Sequence, residues 1–245
     1  MARAARSEKN DVGVVLVAAG SAARFGRKKQ FLELAGKPML LHGLETLGVF
    51  EEVVEIAVVV ASVDVEEAES LLSSRGVEER IGARVSVVVG GASRQASVAN
   101  GMAALEKSIG WVLVHDAARP LLRQHDARRC IDTLLKNGSA VLGHRVADSV
   151  KEIAPGRIPR IQRDVPRAGV WLVQTPQGAS RQVLEEALLN AARDGVAVMD
   201  EASLLERANV QAVLVEGARD NIKVTYPDDL ALAEFLLAQR ERNGA

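Results

Sequence analysis

The sequence is poor in the residues that support disulfide bonds, thiolate metal sites and base stacking. It contains one cysteine, Cys130, among 245 residues, so one chain cannot form a disulfide framework or a CxxC metal site. Aromatic residues make up only 3% of the chain, which argues against the stacking platforms of single-strand nucleic-acid binders. The lone cysteine suits a reducing compartment, and we predict a cytoplasmic protein.

The chain also lacks an excess of either charge and a long apolar run. Lys and Arg number 31 against 32 Asp and Glu, which gives no overall attraction to nucleic acid or to an anionic membrane. No apolar run approaches the roughly 20 residues of a membrane-spanning helix. The N-terminus loosely imitates a signal peptide, but Glu8 and Asp11 lie where such a peptide is positive, and residues 12–18 are typical of a buried strand. We therefore expect neither a nucleic-acid nor a membrane partner.

Apolar runs alternate with helical patterns along the first half of the chain. We predict strands at 12–18, 53–60, 84–89 and 111–115, with helices at 38–50, 64–76 and 94–107 between them. Strands that are apolar throughout are covered on both faces, which predicts a parallel sheet with crossover helices.

The second half of the chain has a less regular pattern. We predict strands at 138–146 and 209–217, and helices at 180–193, at 200–208 and from Pro227 onward. Residues 146–172 are rich in proline, glycine and charge, and we interpret them as a projecting arm of two strands. The length alone fits one large domain or two small ones.

Four segments rich in Gly, Ser, Asp and cationic residues follow predicted strands, where ligands bind in open α/β sheets. They are AAGSAARFGRKKQ at 18–30, GGASRQAS at 90–97, HDAARP at 115–120 and GARDNIKVT at 217–225. The first segment matches neither GxGxxG nor GxxxxGK[ST], but its small residues and cations suit a triphosphate. A solvated basic loop is the alternative for this segment taken alone.

The second and third segments contain candidate ligand-binding side chains. Ser93 is placed to cap a helix that begins near Arg94, and Ser97, three residues later, faces the same way. Asp116 ends a strand, and Arg119 offers a guanidinium fork suited to phosphate. A plain strand-to-helix turn and a capping Asp beside a surface Arg are the alternatives, and we interpret His115 as a packed strand-end residue.

The motifs VAAGSAARF, KKQF, GGASRQASV, WVLVHDAARP, TPQ, DEAS and DNIKVT occur in this order between about residues 11 and 235. Together they resemble the 2-C-methyl-D-erythritol 4-phosphate cytidylyltransferase family of the non-mevalonate isoprenoid pathway. The resemblance implies an α/β fold: a mostly parallel, Rossmann-like nucleotidyltransferase sheet with helices on both faces and a projecting β-arm. We expect one nucleotidyltransferase domain over residues 1–245, with an arm at about 146–172 that pairs two subunits.

The resemblance also implies a reaction and its residues. The 4-phosphate of the substrate attacks the α-phosphate of CTP, pyrophosphate leaves, and a divalent ion, usually Mg²⁺, bridges the triphosphate. The implied catalytic residues are Arg24, Lys29, Arg167 and Lys223. The implied CTP site consists of Ala18, Ala19, Gly20, Gly91, Arg94, Ser97 and Ala117. The implied polyol-phosphate site consists of Asp116, Arg119, Ser149, Thr175, Arg167 and Lys223. Because Ser149 and Arg167 lie on the arm, the resemblance implies a homodimer with shared active sites.

Asp116 and Asp220 both follow strands at this edge of the sheet, which makes them candidate metal ligands. Lys28 stands where the family commonly has proline, and we assign the family's lysine to Lys29 because it directly precedes Gln30.

Two other functions compete with this interpretation. Ribitol-5-phosphate cytidylyltransferases perform the same chemistry on a longer polyol phosphate, but the small Ala118 favours methylerythritol phosphate. A non-catalytic nucleotide-binding module is disfavoured because the implied catalytic cations occur together.

Overall fold

A computed structural model of the protein describes residues 10–20, 25 and 28–242. Its strands are β1 Val12–Val17, β2 Glu33–Leu34, β3 Lys37–Pro38, β4 Val53–Val60, β5 Arg84–Val89, β6 Trp111–Asp116, β7 Ser139–Arg145, β8 Val150–Ala154, β9 Arg160–Val165, β10 Trp171–Ser180 and β11 Leu214–Glu216. Its helices are α1 Met39–Gly48, α2 Val65–Ser74, α3 Val77–Ile81, α4 Arg94–Ala104, α5 Gln124–Asn137, α6 Arg181–Arg193, α7 Glu201–Arg207 and α8 Pro227–Arg242.

Seven strands form the main sheet in the order β11-β7-β10-β6-β1-β4-β5. Strand β10 runs antiparallel to both of its neighbours, and the other four pairings in this sheet are parallel. The predicted mostly parallel sheet is therefore confirmed. The apolar run after the N-terminal tail is β1, in the interior of the sheet, with Val12, Val14, Val15 and Leu16 all fully buried.

Helices cover both faces of the sheet because the strand side chains point alternately to either side. Val14 and Leu16 pack into one apolar cluster together with residues of α1, α2, α3 and α5. Val15, between them, packs into a second cluster with residues of α4, α6 and α7. This confirms the predicted layers. No helix among the described residues is long and apolar enough to cross a membrane.

The sequence patterns left β10, α3 and α5 unassigned. Strand β10 reads WLVQTPQGAS, and its proline and glycine are residue types depleted in strands. Its second half is nevertheless buried, with Gln174, Thr175 and Gln177 between 2% and 3% exposed. The last predicted strand was too long, since β11 covers only Leu214–Glu216.

The excursion at 146–172 contains a separate antiparallel hairpin of β8 and β9, as predicted. Val150 pairs with Val165, and Ile153 pairs with Ile161. Most residues of β9 are exposed.

Candidate active site

A cleft of about 400 Å³ lies at the carboxyl ends of β1 and β6 and at the start of α4. The structure brings ten of the predicted site residues to its lining: Ala18, Ala19, Gly20, Lys29, Gly91, Arg94, Ser97, Asp116, Ala117 and Lys223. Six further residues line it: Val17, Gln30, Met39, Ala92, Ser93 and Ala118. Of these, Ser93 was predicted as a helix cap and Ala118 as a residue that favours methylerythritol phosphate, and the other four had no predicted role.

The first turn of α4 forms one wall of this cleft. Ser93 caps the helix as predicted, because its Oγ accepts a hydrogen bond from the Ala96 N–H at 3.1 Å. The Ser97 hydroxyl donates to the Ser93 carbonyl at 2.9 Å and accepts from the Gly91 N–H at 3.1 Å. Gly90 allows close packing here, since a Cβ at this position would lie 2.5 Å from the Ala19 Cβ. The ends of β1 and β5 and the start of α4 are thereby held together.

Arg94 projects from this turn and is held by two acidic residues. Its two terminal nitrogens donate to the Glu201 carboxylate at 2.8 and 3.0 Å, and its Nε donates to Asp116 Oδ1 at 3.2 Å. Burial opposes the positive charge, but Glu201 and Asp116 outweigh it and hold the pKa of Arg94 above its usual value. Arg94 therefore stays charged, in a fixed orientation.

Sequence reasoning assigned no role to Glu201, although it is only 1% exposed. The sequence feature that could have identified Glu201 is the DEAS motif. Its Asp200 caps α7 by accepting a hydrogen bond from the Ser203 N–H at 2.9 Å. The cap sets the start of α7, and Glu201 follows as its first residue.

Asp116 is the last residue of β6, and each of its carboxylate oxygens accepts a hydrogen bond from a cationic side chain of the cleft. Oδ2 accepts from Lys223 Nζ at 2.6 Å, while Oδ1 accepts from Arg94. Burial alone would raise the pKa of Asp116, but the positive charges of Arg94 and Lys223 hold it well below its ordinary range. Asp116 is thus an ionised acceptor and cannot serve as a proton donor near neutral pH.

His115 does not line the cleft, and its two ring nitrogens link Arg119 to Thr175 through hydrogen bonds. The Arg119 carbonyl can only accept, so His115 Nε2 carries the proton in their 3.2 Å contact. His115 Nδ1 then accepts from the Thr175 hydroxyl at 3.0 Å, and Thr175 Oγ1 accepts from the Asp116 N–H at 3.1 Å. Burial lowers the pKa of His115 to about 4, which keeps the ring neutral.

Thr175, Arg119 and Asp220 do not line the cleft. The Thr175 hydroxyl already has two protein partners, His115 and the Asp116 backbone. Arg119 donates to the Asn221 carbonyl at 2.9 Å. Asp220 pairs with Arg123 at 2.6 Å and with Arg240 at 2.9 Å, so its carboxylate is committed to two guanidinium groups away from the cleft lining.

The two lysines of the KKQF motif have different surroundings. Lys29 lines the cleft and its Nζ donates to the Val224 carbonyl at 2.8 Å. Lys28 pairs with Asp64 at 2.6 Å and with Glu67 at 3.0 Å, and it is not part of the lining. This geometry supports the assignment of the catalytic lysine to Lys29. Arg24 lies outside the described residues.

The two arm residues of the predicted site, Ser149 and Arg167, do not line this cleft. Arg167 lies in the turn after β9 and donates to the Ala147 carbonyl. The side chains assigned to the polyol phosphate therefore fall into three groups: Asp116 and Lys223 line the cleft, Arg119 and Thr175 lie outside its lining, and Ser149 and Arg167 lie on the arm.

Among the residues that the structure describes, the cleft lining contains one carboxylate, Asp116. Within the part of the chain that the structure describes, no three His, Cys, Asp or Glu side chains are grouped so as to hold a metal ion. Mg²⁺ is commonly bound by one or two carboxylates together with substrate phosphates. The donor set fits an ion of that kind and does not fit an all-protein metal cage.

A sequence profile of 2-C-methyl-D-erythritol 4-phosphate cytidylyltransferase matches residues 12–239. The chain belongs to the 2-C-methyl-D-erythritol 4-phosphate cytidylyltransferase family. Relatives of that name are similar over nearly their whole length. The Acidobacterium capsulatum protein is 38% identical over 240 residues, covering 94% of this chain and 98% of its own. The Chromobacterium violaceum protein is 41% identical over 235 residues, covering 91% and 96%.

Solved structures agree with this membership of the cytidylyltransferase family. The enzyme of that name from Thermus thermophilus superposes with a TM-score of 0.72 at 34% identity, covering 93% of this chain and 99% of its own. The 4-diphosphocytidyl-2C-methyl-D-erythritol synthase of Anaerococcus prevotii gives a TM-score of 0.82 at 24% identity, which supports the fold alone. The predicted family is confirmed, and the ribitol alternative is not favoured.

Proposed function

We propose that the protein transfers CMP from CTP to 2-C-methyl-D-erythritol 4-phosphate and releases pyrophosphate, as a step of non-mevalonate isoprenoid precursor synthesis. One observation carries this proposal beyond family membership. Arg94 and Lys223 bind Asp116, and Lys29 lines the same cleft at the carboxyl ends of β1 and β6. Three cationic side chains and one carboxylate belong to the described lining, and Glu201 behind it pairs with Arg94, which leaves net positive charge for a pair of phosphorylated substrates.

The proposed reaction needs charge stabilisation rather than proton transfer. An oxygen of the substrate phosphate, ionised at neutral pH, forms a bond to the α-phosphorus of CTP. The bond from that phosphorus to the oxygen bridging the β-phosphate breaks, and the electron pair leaves with pyrophosphate. The barrier comes from repulsion between two anions and from charge on the leaving group, which fixed cations reduce. This agrees with a cleft whose lining includes no histidine or cysteine among the described residues.

The two substrates use different parts of the cleft in this proposal. The small residues Ala18, Ala19 and Gly20 after β1 let backbone groups approach the CTP phosphates, and Gly91 and Ser97 border the nucleoside. Lys29 faces the reacting phosphates and Lys223 faces the polyol phosphate, and Arg24 is assigned to the reacting phosphates by its motif position alone. Arg119 and Thr175 act in this proposal from behind the lining, by holding Asn221 and the end of β6.

The proposal includes a divalent cation, Mg²⁺, held by Asp116 and by the substrate phosphates. When bound, the ion would offset negative charge on the triphosphate. Asp220 is a weaker candidate for this role, because it does not line the cleft and pairs with Arg123 and Arg240 instead.

The proposal also includes a homodimer and a cytoplasmic location. The arm hairpin exposes apolar side chains, with Ile153 at 47%, Ile158 at 66% and Ile161 at 67% exposure. A two-stranded hairpin is only marginally stable alone, and a second copy of the arm would cover these side chains. Ser149 and Arg167 would then serve the partner subunit's cleft.

The proposed cytoplasmic location is supported by Cys130, which is a free and buried cysteine.

The test is pyrophosphate release from CTP with each of two acceptors, methylerythritol phosphate and ribitol 5-phosphate. The expected result is release that depends on methylerythritol phosphate and is much slower with ribitol 5-phosphate. Equal or faster turnover of ribitol 5-phosphate would overturn the substrate assignment and leave the reaction class intact. Tight CTP binding without release from either acceptor would favour a binding module.

A further inference from the structure

The segment that carries Lys29 is anchored to the start of α2 by the residues on either side of it. Gln30 Nε2 donates to Asp64 Oδ2 at 2.8 Å, and Lys28 Nζ lies 2.6 Å from Asp64 Oδ1. Lys29, between them, reaches the Val224 carbonyl on the cleft side. We propose that Asp64 is a positioning residue that fixes the KKQ segment so that Lys29 enters the cleft in one orientation.

Asp64 has no other evident use for its side chain. It occupies the N-cap position of α2, where an Asp ordinarily accepts a hydrogen bond from the backbone of the first turn. The Asp64 side chain accepts no such bond, and its carboxylate contacts Gln30 and Lys28 instead. The position therefore gives up helix capping for a contact with the segment beside the cleft.

Burial indicates which of the two contacts matters more. Asp64 is 4% exposed and Gln30 is 7% exposed, so their hydrogen bond is shielded from water. Lys28, the other partner of Asp64, has about half of its side chain exposed, so solvent screens this charge pair more than it affects the Gln30 bond. The Gln30 bond thus provides most of the positioning, and the Lys28 pair adds a smaller share.

The backbone supports the same conclusion. Lys28 has a φ of −69°, and Lys29–Phe31 form one turn of 3-10 helix with no side-chain cap of its own. A single short turn has poor internal hydrogen bonding and depends on outside contacts for a fixed geometry. Asp64 on one side and the Val224 carbonyl on the other supply such contacts. Losing the Asp64 side would let Lys29 adopt other orientations.

This inference rests on the proposed function, in which Lys29 stabilises charge on the reacting phosphates. Its test compares Asp64→Ala, which removes both contacts, with Asp64→Asn, which keeps an acceptor for Gln30. Glu67→Gln is the matched control, because it alters the other partner of Lys28 and leaves Asp64 in place. Each variant is made with Lys29 intact and in a Lys29→Ala background, and kcat, KM for CTP and the thermal midpoint are measured.

Asp64→Ala is expected to lower kcat on the order of ten- to a hundredfold, as misplacement of a reacting group does. Asp64→Asn should lose less, and Glu67→Gln should stay within about twofold of the wild type. In the Lys29→Ala background Asp64→Ala should cause almost no further loss, because the two residues act as one unit. An equal loss in both backgrounds would overturn the proposal, as would an unchanged kcat in folded Asp64→Ala protein.

Hydrogen–deuterium exchange separates this inference from the proposed function. Backbone amides of residues 29–34 should exchange faster in Asp64→Asn and Asp64→Ala than in Glu67→Gln. If the wild type transfers no CMP, the proposed function fails, while faster exchange still supports the anchor. Unchanged exchange in both Asp64 variants would overturn the anchor whatever the wild-type activity.

Discussion

Arg94 donates to both carboxylate oxygens of Glu201, at 2.8 and 3.0 Å, and this pair links the start of α4 to the start of α7. A bidentate pair fixes the plane of the guanidinium group as well as its position. Glu201 is almost fully buried, so its orientation has few alternatives. The part of Arg94 that faces the cleft is therefore set by a residue that does not itself line the cleft.

Glu201→Gln should raise the KM for CTP on the order of tenfold and change kcat less, because Arg94, which we assign to the CTP site, loses a charge-assisted bond of about 1.5–3 kcal/mol. The same variant should lower the free energy of unfolding by roughly 1–3 kcal/mol. Steady-state kinetics and urea unfolding check the two effects. Glu206→Gln, exposed on the same helix, is the control and should change neither. A folded Glu201→Gln enzyme with wild-type KM would contradict this role.

Lys29→Ala should lower kcat on the order of 10²–10³, the usual cost of removing one preorganised charged group from a transition state. Arg24→Ala should have a similar effect on the basis of its motif position. Single-turnover measurements at saturating CTP separate this loss from weaker binding. Lys136→Ala, exposed near the end of α5, should leave kcat unchanged. A normal rate in Lys29→Ala would show that the cleft cations merely bind substrate.

The sequence predicted the sheet well because buried parallel strands are long apolar runs. The run at 53–60 coincides with β4, which is buried at all but one position, and the apolar run at 84–89 coincides with β5, although that edge strand is only partly buried. Strand β10 was missed because its buried half is polar. Gln177, for example, satisfies its amide with the Gln174 carbonyl and the Ala202 N–H, partners that no local pattern reveals.

The cleft was predicted in part, for a similar reason. Strand-end motifs lie together in any parallel sheet, so Asp116 and Gly91 could be placed from the sequence. The partners of the cleft side chains come from distant segments. Glu201, which binds Arg94, is 107 residues away from it, and Thr175, which binds the Asp116 backbone, is 59 residues away. Spacing along the chain carries no information about such contacts. A position after a strand does not show where a carboxylate points, and that of Asp220 pairs with Arg123 and Arg240.

Activity should disappear in excess chelator and return with Mg²⁺. Asp116→Asn should raise the Mg²⁺ concentration needed for half-maximal activity, since its carboxylate is the one acidic group of the described lining. Asp220→Asn should leave that concentration unchanged and reduce stability instead, because it unpairs Arg123 and Arg240. Magnesium titrations of the three proteins provide the measurement. Full activity in chelator would refute the metal requirement.

Stability should fall as the pH drops below 6.5, because buried His115 resists protonation. Its pKa is about 4 in the folded protein against 6.5 for the free side chain, so only the unfolded state gains the proton between these values. From pH 7 to pH 5 this amounts to about 2 kcal/mol of unfolding free energy. His115→Gln should lose that part of the pH dependence, and His144→Gln should keep it. Urea unfolding at pH 7 and pH 5 measures this change in unfolding free energy. An equal change in the wild type and in His115→Gln would contradict the role of His115.

Mixing two inactive variants tests whether active sites are shared between subunits. Lys223 lines the cleft of its own chain, whereas Arg167 lies on the arm and is absent from that lining. If Arg167 serves the partner subunit's cleft, a heterodimer of Arg167→Ala and Lys223→Ala chains has one site with both groups and one with neither. Activity should therefore return on subunit exchange, toward half of the wild-type value per heterodimer.

The control for this mixture is a pair of chains that both carry Lys223→Ala, which should stay inactive after exchange. Two different affinity tags allow the heterodimers to be isolated and counted, so that failure to exchange is not mistaken for failure to complement. Isolated heterodimers that are as inactive as both parents would place Arg167 and Lys223 in the same subunit's site. In that case the exposed apolar face of the arm would need an explanation other than a shared catalytic centre.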